Sequence, residues 1–131
     1  MIVRAPYQPV SGRSGLPAVE VTRSGTTTTI SLHGTFAKPD TRPFNNAMAG
    51  AVQSSSACIV DLRYCTACDG PALQLLFRYK TWLADRLAIV VAETGPVRSA
   101  IERCGYSRLL GITTSLELAT ELVSAAPLGA R

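Results

Sequence analysis

The sequence predicts a single α/β domain: a mixed β-sheet of about five strands that opens on a hairpin and is packed with about four helices. Three observations carry that expectation. Residues 18–123 alternate short β-branched or apolar runs with amphipathic helical runs. A chain of 131 residues fits one domain and leaves no room for two. Its side chains are 47% hydrophobic, enough for a core, yet the longest apolar runs, such as 87–92, fall far short of the roughly 20 residues that a membrane span needs.

Each element follows from a local pattern. Residues 1–17 hold Pro6, Pro9, Pro17, Gly12 and Gly15, show neither helical nor strand periodicity, and are expected to form a flexible N-terminal arm. Residues 18–23 alternate Val19 and Val21 with polar neighbours, Ser24-Gly25 signals a turn, and 26–32 return with β-branched side chains, which reads as a hairpin. Gly34 breaks the pattern. Asp40 or Thr41 can cap a helix over 43–53, where Phe44, Ala47, Met48, Ala51 and Val52 share a face, and Ser54, Ser55 and Ser56 end it. ACIVDL, 57–62, is short and nearly all apolar, as a central strand covered by helices must be. A loop over 63–70 leads to an amphipathic helix over 71–84, opened by Pro71 and carrying Leu73, Leu76, Phe77, Lys80, Trp82 and Leu83. LAIVVA, 87–92, is a second buried strand. Thr94, Gly95 and Pro96 open a short helix with Val97, Ala100, Ile101 and Cys104 that stops at Gly105. Residues 109–113 make a short last strand, and Ser115 begins the last helix, with Leu118, Ala119, Leu122 and Val123. The tail 125–131, with Pro127 and Gly129, is expected to fray, which leaves 18–124 as the domain.

Charge narrows the function classes. Thirteen Lys and Arg against nine Asp and Glu give a net +4, carried by scattered arginines, since Lys38 and Lys80 are the only lysines. A nucleic-acid surface calls for a basic cluster with interleaved aromatics, and none is visible, so neither nucleic acid nor membrane is expected as a partner. The N-terminus lacks a charged segment followed by an apolar core, so the expected compartment is the cytoplasm, where thiols are normally reduced.

The informative stretch is IVDLRYCTACDGPALQLL, residues 59–76. A buried strand ending in Asp61-Leu62, a loop with Thr66 and Asp69, and a helix beginning near Pro71 resemble the signature of STAS domains. Those are the domains of anti-sigma factor antagonists, or anti-anti-sigma factors, in which V-L-D-L leads to D-S-S-G-L at a helix N-terminus. The resemblance covers about residues 18–123 and is most specific at 97–112, which is similar to the pattern V-x-x-x-L-x-x-x-G-L-x-x-L-F-x-I. It implies a STAS-type fold and a bacterial regulator of transcription in stress responses. Such a protein is not an enzyme, holds no cofactor, and is a monomer or weak dimer. It binds an ATP-binding, serine-kinase anti-sigma factor and so frees a sigma factor.

In the proteins it resembles, the first serine of D-S-S-G is phosphorylated, which switches the antagonist off. A helix N-terminus suits such a switch, because backbone N–H groups there meet the phosphate. Carried over position by position, Asp69 matches the aspartate, Gly70 falls on the phosphorylated serine, Pro71 on the second serine, Ala72 on the glycine and Leu73 on the leucine. Glycine has no hydroxyl, so no phosphorylation is expected at Gly70. The surface of Thr66, Asp69, Gly70, Pro71, Ala72 and Leu73 is the expected docking site for the anti-sigma factor.

The remaining chemistry lies in Cys58, Cys65, Cys68 and Cys104. Cys65 and Cys68 form a C-x-x-C spacing just before a helix N-terminus, where a thiol pKa can be lowered, so a thiol redox sensor or oxidoreductase is an alternative function. Asp69 and Gly70 intervene, however, and add negative charge. A regulatory disulfide joining Cys65 or Cys68 to its neighbour or to Cys104 is an intermediate reading, and small apolar core thiols the plainest. A zinc site lacks a second C-x-x-C, so no metal is expected. A STAS scaffold or ligand-sensing module is a further alternative. His33, the only histidine, has no acid or nucleophile beside it. Asp61 and Asp69 read as a strand end and a helix N-terminal charge rather than an acid pair. Tyr79 and Trp82 are expected to pack partly against the sheet, and an exposed aromatic there would mark a protein interface.

Overall fold

A computed structural model describes residues 2–4, 18–36, 41–55 and 57–124. Three strands open the fold: β1 (Ile2–Arg4), β2 (Ala18–Ser24) and β3 (Thr27–Phe36). Gly25 sits between β2 and β3 at φ +60°, a conformation that costs glycine nothing and lets the hairpin close in two residues. Helix α1 (Arg42–Ser54) then crosses to β4 (Ala57–Cys68), and α2 (Gly70–Leu83), with a 3₁₀ turn over Ala84–Arg86, crosses to β5 (Leu87–Val90). Helices α3 (Pro96–Arg103) and α4 (Ser107–Leu110) lead to β6 (Ile112–Thr113), and α5 (Leu116–Ser124) comes last. The sheet order is β1-β2-β3-β4-β5-β6, antiparallel across the first three strands and parallel from β3 to β6.

The sheet has two unequal sides. On one, Ile30, Leu32 and Phe36 of β3, Val60 and Leu62 of β4, and Leu87 and Ile89 of β5 meet Phe44 and Met48 of α1, Leu73 and Leu76 of α2, and Ile101 of α3. Phe44 ties that core together, edge-on to Phe36 at 5.0 Å and to Tyr79 at 5.7 Å, arrangements that add to simple burial. On the other side, among the described residues, α5 sets Ala119 and Val123 against Ile59, Ala88 and Val90.

The α/β class, the hairpin and the alternating helices agree with the sequence patterns, with three differences. First, Ile2–Arg4 lies inside the segment read as an arm, yet it pairs with Thr22–Ser24 of β2. An edge strand is held by backbone hydrogen bonds to a free neighbour and needs no side-chain alternation. Residues 5–17 and 125–131 lie outside the described residues. Second, 63–70 is no loop: β4 runs on to Cys68, because β3 is ten residues long and continues to pair with it as far as Phe36 opposite Cys68. Third, 107–110 forms a helical turn that buries Leu110, which shortens β6 to two residues. At α1, Thr41 occupies the N-cap position without a side-chain cap bond, and Asp40 lies outside the described residues.

Candidate functional site

The end of β4 is shaped by two irregularities in its pairing with β3. Between Ser31 and His33 the partner advances from Asp61 to Tyr64, and between Gly34 and Thr35 it advances from Cys65 to Ala67. Thr66 is therefore an extra residue without a partner in β3, and it stands exposed. A bulge re-aims the side chains beyond it. Cys65 and Cys68 consequently both belong to the larger core side, Cys65 buried within it and Cys68 packed at its margin. The same bulges hid the second half of this strand in the sequence, since each one interrupts the period of two.

Asp69 joins β4 to α2. Its N–H donates to Phe36 O at 3.3 Å, and its extended backbone and side chain cap the helix, with Oδ1 accepting from Ala72 N–H at 2.9 Å. Pro71 has no N–H to offer, and Leu73 N–H is taken by Asp69 O at 3.1 Å. An anion at this terminus would find little beyond Gly70 N–H. A Cβ added at Gly70 meets nothing within 4 Å, and its backbone is not left-handed, so neither space nor conformation requires glycine there.

Of the six residues assigned to docking, Thr66, Gly70 and Pro71 are exposed and Asp69 is half-buried. Ala72 and Leu73 are both 0% exposed and belong to the core. Their side chains hold α2 on the sheet, so the reachable surface is Thr66, Asp69, Gly70 and Pro71.

The thiols do not have the environment a redox enzyme needs. Burial pushes Cys58 and Cys65 each up to about 12. Cys68 is also raised to about 12, first by burial and then by the nearby charges of Cys65, Asp69 and Cys104. The depressed pKa expected of a C-x-x-C before a helix is thus reversed, because the pair lies in the core margin beside a carboxylate rather than on a bare helix dipole. All four cysteines are free thiols, and only Cys104 is exposed. Alkylation at neutral pH is expected to label Cys104 rapidly and the other three slowly, as mass spectrometry of the labelled chain would show. The raised values also set the sign of the pH dependence. Thiols whose folded pKa is raised lend stability that is complete below their ordinary value of 9.0 and is lost as pH climbs toward about 12. Denaturation under reducing conditions should therefore show the midpoint falling across that window, and an unchanged midpoint would contradict the burial of these thiols.

Asp61 is occupied elsewhere. It is 2% exposed, and its Oδ1 accepts from Arg63 Nε at 3.0 Å and from Arg63 N–H at 3.0 Å, while Oδ2 accepts from Arg63 Nη2 at 2.9 Å. His33 stacks on Tyr64 at 5.1 Å, and Arg63 lies over the same ring at 5.4 Å. Asp61 therefore forms no acid pair with Asp69. Among the described residues no three His, Cys, Asp or Glu side chains are grouped so as to hold a metal ion. A pocket between the C-terminal ends of α1 and α2, lined by Val52, Cys58, Leu83 and Arg86, has about 200 Å³ of empty space counted together with open solvent. Ligand cavities usually enclose roughly 300–1,000 Å³. Among the described residues no helix is long and apolar enough to cross a membrane.

Sequence reasoning missed the position of Trp82, which is 63% exposed rather than packed on the sheet. Tyr79, half-buried beside it, donates from Oη to Asn45 Oδ1 at 2.7 Å. The helical spacing of Trp82 with Pro71 and Arg78, rather than with Leu73 and Leu76, was the available signal.

The parallel β3–β6 sheet, with α1 to α4 packed on its larger core side, gives the chain a SpoIIAA-like fold. Among solved structures the chain is similar to an anti-sigma factor antagonist from Mycobacterium paratuberculosis, at 20% identity and a TM-score of 0.68 over 82% of this chain and 94% of that one. It is also similar to the anti-sigma factor antagonist SpoIIAA in its unphosphorylated form, at 14% identity and a TM-score of 0.59 over 83% of this chain and 100% of that one. A third likeness, at 13% identity and a TM-score of 0.52 over 87% and 98% of the two chains, is to a protein with a SpoIIAA-like fold from Shewanella loihica. No family model and no curated protein matches the sequence.

Proposed function

We propose that this chain is an anti-sigma factor antagonist. In the cytoplasm it binds an ATP-binding, serine-kinase anti-sigma factor through Thr66, Asp69, Gly70 and Pro71, excludes the sigma factor from it, and so regulates transcription without chemistry of its own. ATP belongs to the partner. The observation that carries the reading is the exposed, Asp69-capped start of α2 on a fold shared with two solved antagonists, and the motif resemblance sets Gly70 against the phosphate-accepting serine. Without a hydroxyl at Gly70, binding is constitutive with respect to phosphate. Size-exclusion chromatography of the purified chain with each serine-kinase anti-sigma factor of its own genome, in ATP, tests this. A complex that persists supports the reading, and no complex with any of them transfers the chain to the scaffold class.

A thiol control of the same surface is favoured by one observation: α3, which ends at the free, exposed thiol of Cys104, packs against β4, which ends at the free thiol of Cys68. A two-electron oxidant such as hydrogen peroxide would remove one hydrogen from each thiol, form the Cys68–Cys104 bond and leave two waters. That bond would tie the end of α3 to the residue before Asp69. Peroxide should then shift the chromatographic complex of the wild type and leave that of Cys104→Ser unchanged. Equal behaviour of the two would remove the thiol control.

A further inference from the structure

Helix α2 carries a stripe that its own packing does not use. Ala72, Leu73, Leu76 and Leu83 face the core. On the opposite side Pro71, Gln74, Arg78 and Trp82 recur at steps of three and four and are all exposed, with half-buried Leu75 among them. From Pro71 to Trp82 the stripe runs about 16 Å at the usual helical rise. Its chemistry is one-sided. The helix, GPALQLLFRYKTWL, contains no carboxylate. Arg78 makes no ion pair among the described residues. Lys80 is held back, with Nζ donating to Ala84 O at 2.9 Å and Leu87 O at 2.6 Å. Trp82 lies open to water, stacked on Tyr79 at 6.4 Å, so covering it would remove apolar surface that the fold itself leaves wet.

We infer that the outer face of α2 from Pro71 to Trp82 is the second half of the docking surface, and that its occupant is an acidic, apolar face of the anti-sigma partner. A partner carboxylate would sit against Arg78 and a partner apolar side chain against Trp82. Two features argue for that occupant. The stripe begins at Gly70 and Pro71, so it continues the surface already assigned to the partner. Beyond the Asp69 cap, the one charge that the stripe presents is that of Arg78, and no acid within the helix offsets it, which favours an acidic counterpart at that end. Tryptophan and arginine are also the residue types that most often anchor interfaces.

The inference rests on the antagonist reading, and the test separates the two. Wild type, Trp82→Ala, Arg78→Glu and, as a control on α5, Thr120→Ala are titrated calorimetrically into the serine-kinase anti-sigma factors of the same genome, with circular dichroism confirming that each variant is folded. Trp82→Ala and Arg78→Glu are each expected to weaken binding by about tenfold or more, as anchors do, while Thr120→Ala leaves it unchanged. A wild-type complex whose affinity moves by less than about twofold in both variants overturns the α2 stripe and leaves the antagonist reading standing. No wild-type complex at all overturns both.

Discussion

Replacing Gly70 with serine is expected to convert a phosphate-blind protein into one that its partner switches off. Incubated with a serine-kinase anti-sigma factor and ATP, Gly70→Ser should gain one phosphate at that residue by mass spectrometry, and its complex should dissociate, while the wild type remains unmodified there and bound. The backbone admits the change, since an added Cβ at Gly70 meets nothing within 4 Å and φ is not left-handed. The hydroxyl would lie on the exposed first turn of α2, between Asp69 and Pro71. A phosphate there carries a charge of about −1.5 to −2. It would find few donors, because Ala72 N–H is already bonded to Asp69 and Pro71 has none. Repulsion from Asp69 and obstruction of the docking surface would therefore dominate over any gain from the helix dipole. A Gly70→Ser chain that stays unphosphorylated in a stable complex would mean that the kinase does not face the start of α2, and the docking geometry would have to be abandoned.

Leu73→Ala is expected to give the largest loss of stability near the site and no loss of specific affinity. Leu73 is 0% exposed, one turn before Leu76 in the core. Truncating such a leucine removes buried apolar surface and leaves a cavity, at a cost of about 2–5 kcal/mol. Against a total stability of about 5–15 kcal/mol for a domain, that is a large share. The urea midpoint should fall, while the affinity of the folded fraction for the anti-sigma factor stays at the wild-type value. If stability were unchanged and affinity lost, Leu73 would be a contact residue, contrary to its burial.

These two residues show how far the sequence is legible and where it is not. The uniform apolar runs of β4 and β5 and the helical faces around Met48, Leu76 and Ile101 identify the sheet and its cover, because deep burial leaves a compositional mark that local patterning retains. Its place in a motif assigns Leu73 to the surface, although its spacing with Leu76 and Leu83 already marks the core face. Gly70 and Asp69 fall at a helix start in sequence and structure alike, since capping is a local interaction. Strand β1 and the second half of β4 leave no such mark. One is held by backbone pairing to β2 and the other bends through bulges, and both depend on strands distant in sequence.

The unequal covering of the sheet bears on how the chain is made. During synthesis β4 and β5 emerge well before α5, so Ile59, Ala88 and Val90 can pair into a parallel sheet whose second face has no lid yet. Unprotected apolar surface on a partly assembled sheet is the condition under which nascent chains stick to one another. Ala119 and Val123 close that face only when residues 116–124 arrive, and the ribosome-bound intermediate just before that moment is the species a chaperone would have to shield.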